Sequence, residues 1–309
     1  MKKVFIDGKA GTTGLRIYER LGGRTDMEMI TIPEAYRKDE NARRDAINRA
    51  DVAFLCLPDA AAREAVAMVE NPHTVVIDTS TAHRTDPSFA YGFPELSPSF
   101  EEKIKNSKRI AVPGCHASGF IALVYPLVAN GILSPSARLT CHSVTGYSGG
   151  GKKMIGEYES EGRDPLLDAP RQYGLTQEHK HLKEMKAVTG LSDAPIFCPI
   201  VSDFYSGMVV TVPLFREDIG GVSPKTLAEL YRDRYRGPIV SYADSPSEEG
   251  FLSAAGLSGK DGMQISVLGN DDRILLVARY DNLGKGASGA AVENLNIVLG
   301  LDKTLGLEL

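Results

Sequence analysis

One cysteine, Cys115, stands in the run Ile110-Ala-Val-Pro-Gly-Cys-His-Ala-Ser-Gly119, where a strand-like stretch breaks at Pro113-Gly114 and small residues open a helix ending at Asn130-Gly131. At a helix N-terminus the unpaired backbone N–H groups and the positive end of the dipole favour thiolate over thiol, and a thiolate attacks carbonyl carbon. The same setting also suits a small, buried, inert cysteine. A thiolate that forms an acyl-enzyme needs a group to carry protons, which draws attention to the six histidines at 73, 83, 116, 142, 179 and 181. Two of them lie in Gln177-Glu-His-Lys-His-Leu-Lys-Glu184. On a helix that buries Leu182, Met185 and Val188, the advance of about 100° per residue puts His181 within the buried stripe and His179 outside it. Glu184 follows at the i+3 position, from which it can orient His181. His142 reads as structural beside Cys141 in a strand, and His116 is turned aside by the start of the helix.

A second chemical signal opens the chain. The apolar run Lys3–Asp7 leads into Gly8-Lys-Ala-Gly11-Thr12-Thr13-Gly14, and a segment with Leu15, Tyr18 and Leu21 on one side follows. Strand, glycine turn and helix in that order let backbone N–H groups approach a pyrophosphate, although the spacing is GxxGxxG and a plain tight turn would use the same residues. Further on, Glu34 could hold ribose hydroxyls as in NAD enzymes, whereas Arg37 and Lys38 could hold the 2′-phosphate of NADP or form a solvated pair. The balance leans to NADP.

These residues need a frame. The first 110 residues alternate predicted strands (3–7, 27–32, 52–57, 75–78, 109–112) with predicted helices (12–21, 43–50, 60–69), the pattern of a doubly wound parallel α/β sheet. From residue 137 the strands lengthen (139–144, 196–203, 208–215, 264–269, 273–280), which predicts a mixed or antiparallel sheet in an α+β domain. Ser223 and Pro224 begin a helix over 224–236. The segment 287–299 reads as a helix that returns to the first domain.

Composition excludes several classes. The 309 residues are 42% hydrophobic, and 40 acidic against 35 basic side chains are interspersed, which offers no basic face to nucleic acid or anionic membrane. No apolar run suggests a signal peptide or membrane span, so a cytoplasmic protein is expected. Cysteines 56, 115, 141 and 198 show neither zinc-ligand nor disulfide-framework spacing.

Taken together, GKAGTTG at 8–14, DTSTAHR at 78–84, PGCHASGF at 113–120, SVTGYSGGGKK at 143–153, HKHLKE at 179–184 and YDNLGKGASGAAVENLN at 280–296 resemble the N-acetyl-γ-glutamyl-phosphate reductases of arginine biosynthesis, in their shorter, type 2 branch. The resemblance covers nearly the whole chain. It implies a Rossmann-like NADP-binding domain from residues 1–116 and 285–309, with a catalytic and oligomerisation domain of the glyceraldehyde-3-phosphate dehydrogenase type at 117–284. It implies Cys115 as nucleophile and His181 as acid/base, with Lys183 standing where the family has proline. It also implies a homodimer or homotetramer, and places Asn282 and Gly284 of the 284–286 turn toward the nicotinamide.

The cofactor-binding set expected is Gly8, Gly11, Thr12, Thr13, Gly14, Arg37, Ser80, Asn282 and Gly284. For the small acyl-phosphate substrate the set is Arg84, which is suited to the leaving phosphate, with Ser148 and Glu184. Ser148 and glycines 149–151 read as a mobile loop, with Lys152 and Lys153 able to meet anions. Alternatives are a reductase of aspartyl or aminoadipyl phosphate, an NADP-sensing regulatory protein and a cysteine hydrolase.

Overall fold

Short β-branched runs separated by amphipathic segments build a parallel sheet in the computed structural model, which describes residues 1–309. In chain order the elements are β1 (Lys2–Asp7), α1 (Thr12–Gly22), β2 (Met27–Ile30), α2 (Glu40–Arg49), β3 (Val52–Leu55), α3 (Asp59–Ala67), β4 (Val75–Asp78), β5 (Ala90–Tyr91), α4 (Pro98–Asn106) and β6 (Arg109–Ala111). The strands lie in the order β2-β1-β3-β4-β6-β5, and every neighbouring pair is parallel. Alternate side chains feed two cores: Val4, Ile6, Val52 and Phe54 pack with Ile17 and Leu21 of α1, while Phe5, Ala53 and Leu55 pack with Ala46, Ile47 and Ala65 of α2 and α3. α2 begins three residues before the predicted start because the Asp39 carboxylate accepts the Ala42 N–H as an N-cap. β5 and α4 were not predicted.

The second sheet is mixed. α5 (Cys115–Ala129), β7 (Thr140–Gly146), α6 (Gly151–Glu159), β8 (Arg171–Gln172), α7 (His181–Thr189), β9 (Ile196–Ser202), β10 (Met208–Phe215), α8 (Pro224–Arg234), β11 (Val240–Tyr242), β12 (Met263–Gly269) and β13 (Arg273–Tyr280) follow in turn. The strand order is β11-β12-β13-β10-β7-β9-β8; β11–β12 and β7–β9 are parallel and the remaining pairs antiparallel. On β10, Met208, Val210, Val212 and Leu214 are buried and the residues between them are not. Register puts Ile196, Phe215 and Leu275 on the opposite, open face, where they are 62%, 59% and 40% exposed.

α5 tolerates Pro126 in its interior because its neighbours repair the loss. Proline has no N–H to give to the Ala122 carbonyl, and the Tyr235 hydroxyl donates to that oxygen at 2.7 Å, while the Tyr231 hydroxyl donates to Leu123 one residue on. α8 starts on the Ser223 cap as predicted and stops two residues early, at Arg234.

A five-residue π turn, Gly284–Ser288, precedes α9 (Gly289–Val298). Ala290, Ala291, Val292 and Leu295 of α9 join the core around Val4, Phe54 and Ile77. By internal contacts the chain divides into one unit of residues 1–94, 98–113 and 287–307 and another of 95–97, 114–286 and 308–309. No helix is long and apolar enough to cross a membrane.

Candidate active site

Cys115 is the first residue of α5, with Gly114 as its N-cap in extended conformation. That cap is held by Glu184 of α7, whose Oε1 accepts the Gly114 N–H at 2.8 Å, and by Ser118, whose N–H and hydroxyl both donate to the Gly114 carbonyl, at 2.8 and 3.0 Å. From the other side the π turn closes in. A Cβ on Gly286 would lie 3.0 Å from the Cys115 Cβ, so only glycine brings the turn this near without displacing the cysteine. The Asp281 carboxylate organises the turn by accepting the N–H groups of Leu283 and Gly284 at 2.6 and 3.3 Å. Lys285, 2% exposed, donates to both oxygens of Glu95 at 2.8 and 2.7 Å. Cys115, Cys56 and Cys198 are all partly exposed and Cys141 is buried; loss of solvation around the sulfur pushes the Cys56 thiol up to about 12 and Cys141 higher still.

The histidines cluster beside this helix start. Ring centroids of His116, His179 and His181 lie 5.9 Å (116–179), 5.6 Å (116–181) and 4.7 Å (179–181) apart, with Phe197 against the first two. Two of the three have scaffold roles. His116 is fixed between the Ser143 hydroxyl at Nδ1 (2.7 Å) and the Tyr173 hydroxyl at Nε2 (2.6 Å), and the His179 Nδ1 accepts the His181 N–H at 3.2 Å in the manner of a cap on α7. His181 is buried on the inner stripe of α7, where the helical spacing predicts it. Glu184 is buried as well, and one of its carboxylate oxygens holds the cap of the cysteine helix.

Burial holds His116 near pKa 3 and His179 near pKa 4, both below the ordinary 6.5. Both are therefore neutral in the fold and take up protons on unfolding once the pH drops under about 6.5. Their contribution is complete above that value and is lost as pH falls toward 4. Urea midpoints measured from pH 7.5 down to 4.5 are expected to fall, and His116→Gln is expected to shallow the fall.

Ser148 and Asn282 are joined. The Asn282 amide donates to the Ser148 hydroxyl at 3.0 Å and its oxygen accepts the Gly207 N–H at 2.9 Å, with Ser148 only 1% exposed. The segment read as a loop forms a 3₁₀ turn over Tyr147–Gly150 that runs into α6, with its Ser148 N–H bound to the Tyr205 carbonyl at 3.0 Å. Lys153 projects from α6, 91% exposed, with Glu157 at 3.9 Å.

In the other unit, Ser80 follows β4. Its hydroxyl donates to Asp78 at 2.7 Å, and His83 Nδ1 meets the same carboxylate oxygen at 2.6 Å. Arg84, assigned in sequence to a leaving phosphate, gives its Nε to the Val112 carbonyl at 2.9 Å and Nη2 to the Thr79 carbonyl at 3.0 Å, which makes it a strut between the ends of β4 and β6.

The glycine turn borders a cavity of about 620 Å³ lined by Gly8, Lys9, Ala10, Leu15, Thr31, Glu34, Arg37, Lys38 and Arg43, with apolar walls from Met29, Ile32 and Leu57. Gly8 has φ +85°, and a Cβ there would sit 2.2 Å from the Cys56 carbonyl oxygen, so no other residue lets the loop lie on the β3 end. The buried Thr12 hydroxyl, in the first turn of α1, has no hydrogen-bond partner within the chain. An oxygen-rich anion at this helix start would satisfy it, and the apolar walls with nearby cations suit a nucleotide. Arg37 is paired with Glu34 at 3.0 Å, and Arg43, which sequence spacing did not single out, is paired with Asp7 at 2.9 Å. Gly11, Thr13 and Gly14 complete the same turn.

Residues 29–107 match the family model described as semialdehyde dehydrogenase, NAD binding domain, and residues 115–282 match semialdehyde dehydrogenase, dimerisation domain. Aspartate semialdehyde dehydrogenase II from Vibrio cholerae superposes with a TM-score of 0.73 at 16% identity, covering 97% of this chain and 99% of that one. The enzyme from Francisella tularensis gives 0.71 at 14%, covering 97% and 100%. At such identities the likeness is one of fold. Sequence relatives are nearer: N-acetyl-gamma-glutamyl-phosphate reductase of Trichormus variabilis is 46% identical, with 99% of each chain covered. That of Rhizobium meliloti is 45% identical, covering 96% of this chain and 98% of its own. With that degree of identity sustained through both units, the chain belongs to the N-acetyl-gamma-glutamyl-phosphate reductase family.

Proposed function

We propose that the protein reduces N-acetyl-L-glutamyl 5-phosphate to N-acetyl-L-glutamate 5-semialdehyde in arginine biosynthesis, with NADPH as reductant and Cys115 as nucleophile. The observation that carries the chemistry is the seat of Cys115, a partly exposed thiol at the first position of a fifteen-residue helix whose cap is fixed by Glu184. The identity of the acyl group rests on the near-full-length relatives.

The Cys115 sulfur attacks the acyl carbon of the mixed anhydride. Negative charge that builds on the carbonyl oxygen meets the N–H groups of the first turn of α5, which have no carbonyl four residues back to bind. The C–O bond to phosphate breaks and an acyl thioester remains on Cys115. A bound dinucleotide supplies the hydride equivalent that takes the acyl carbon to the aldehyde level. His181 donates a proton to the resulting oxygen and takes it back as the C–S bond breaks, which returns Cys115 as thiolate. Asn282 and Ser148, locked to each other, present a fixed polar wall, and Arg84 keeps the β4 and β6 ends in place.

The choice of NADP rests on Arg37 and Lys38 at the cavity. Arg37→Ala is expected to raise the KM for NADP roughly 10–100-fold, the worth of one charge-assisted hydrogen bond, and to leave the KM for NAD within about 3-fold. Comparing the two cofactors in the same variant checks this. The partner proposed for the open sheet face with Ile196, Phe215 and Leu275 is a second copy of the chain, in a cytoplasmic homodimer or homotetramer. The whole reading is tested by phosphate-dependent reduction of NADP with N-acetylglutamate semialdehyde beside aspartate semialdehyde. Turnover of the acetylated compound alone supports it, and turnover of aspartate semialdehyde alone reassigns the substrate.

A further inference from the structure

We infer that Tyr280 is a positioning residue for the nucleophile: its hydroxyl bridges the Cys115–Gly119 backbone rung in the first turn of α5 and so sets where the Cys115 sulfur meets the acyl carbon. The Gly119 N–H donates to the Tyr280 oxygen at 2.9 Å, and the Tyr280 hydroxyl donates to the Cys115 carbonyl. In a regular α-helix these two backbone groups are partners of one another, residue i+4 bonding to residue i. A side-chain hydroxyl that bridges such a rung holds the turn in a geometry the helix alone does not specify. The site is built for it. Tyr280 is fully buried, and a Cβ on Gly119 would lie 2.7 Å from the Tyr280 oxygen and 2.7 Å from a Val210 methyl.

Cys115 is thus gripped on both sides, by Glu184 at the N–H before it and by Tyr280 at its own carbonyl. Tyr280 also ends β13 and leads into the turn whose Gly286 packs on Cys115, so one segment sets both contacts. Burial and the neighbouring thiol keep the phenol well above its ordinary pKa, and it remains a donor. The inference rests on Cys115 being the nucleophile.

Removing this hydroxyl orphans nothing, because the two groups it bridges can bond to each other once the turn relaxes. Tyr280→Phe is therefore expected to keep its melting temperature within a few degrees, while kcat falls roughly 10–100-fold and KM stays within about 3-fold, the signature of a displaced reacting atom. The pH midpoint for iodoacetamide labelling of Cys115, read by mass spectrometry of its peptide, is expected to stay within about 0.3 unit, since no charge is removed. A kcat within 2-fold of wild type, a midpoint moved by a full unit, or a collapsed melting temperature overturns the inference. Cys115→Ala is run in parallel. If that variant stays active the nucleophile reading fails and the inference falls with it; if it is dead while Tyr280→Phe behaves as wild type, only the inference fails.

Discussion

Cys115→Ala is expected to lower kcat by at least about 10⁴-fold, since the acyl intermediate is carried on the Cys115 sulfur and the remaining site only binds and polarises. The substitution takes one sulfur from a partly exposed position, so the melting temperature should stay within a few degrees of wild type. Phosphate-dependent NADP reduction measures the first quantity and a thermal scan the second. Cys56 and Cys141 are not replacements, because loss of solvation around the sulfur holds both thiols far above the range where a thiolate forms at neutral pH. Single-turnover mixing adds a direct readout: wild type releases phosphate from the acyl phosphate before any reductant is added, and the alanine variant does not. Release of phosphate by the variant at the wild-type rate would sink the thioester mechanism.

His181→Asn is expected to cost roughly 10²–10⁴-fold in kcat, the usual worth of a general acid–base group, with little change in KM. His179→Asn is the contrasting variant. Its histidine caps the His181 N–H and is held neutral near pKa 4 by burial, so its asparagine, which can also cap, should keep kcat within about 10-fold. His116 is excluded from proton transfer on similar grounds, since both ring nitrogens are committed to Ser143 and Tyr173. Equal losses at 179 and 181 would mean that proton transfer runs through the pair rather than through His181. The pH profiles of the three proteins, recorded side by side, separate these outcomes.

Much of the frame was legible because it follows local rules. β1, α1, β4, β10 and α8 lie within two residues of their predicted ends, where hydrophobic period, a glycine turn or a Ser-Pro cap marks the boundary. The elements that escaped are short or weakly marked. β5 and β8 have two residues each, too few to show a period, and they exist because a neighbouring strand offers an edge. α6 looked like a loop because Gly149–Gly151 dominate its start, yet the backbone bond from Ser148 to Tyr205 anchors the turn and lets the following residues wind.

The site divides in the same way. Sequence alone determined that a thiol opens a helix, that a glycine turn follows the first strand, and that His181 lies on the inner stripe of a helix with Glu184 one turn on, because each of these is a matter of spacing along the chain. What only the tertiary structure decided is what each side chain meets. Glu184 grips Gly114 from 70 residues away, and Tyr280 spans 165 residues to reach the Cys115 carbonyl. Arg84 reaches the backbone carbonyls of Val112 and Thr79. Periodicity gives a residue its face on an element, but a hydrogen bond is made by atoms within about 3 Å, and that proximity is set by how distant elements pack.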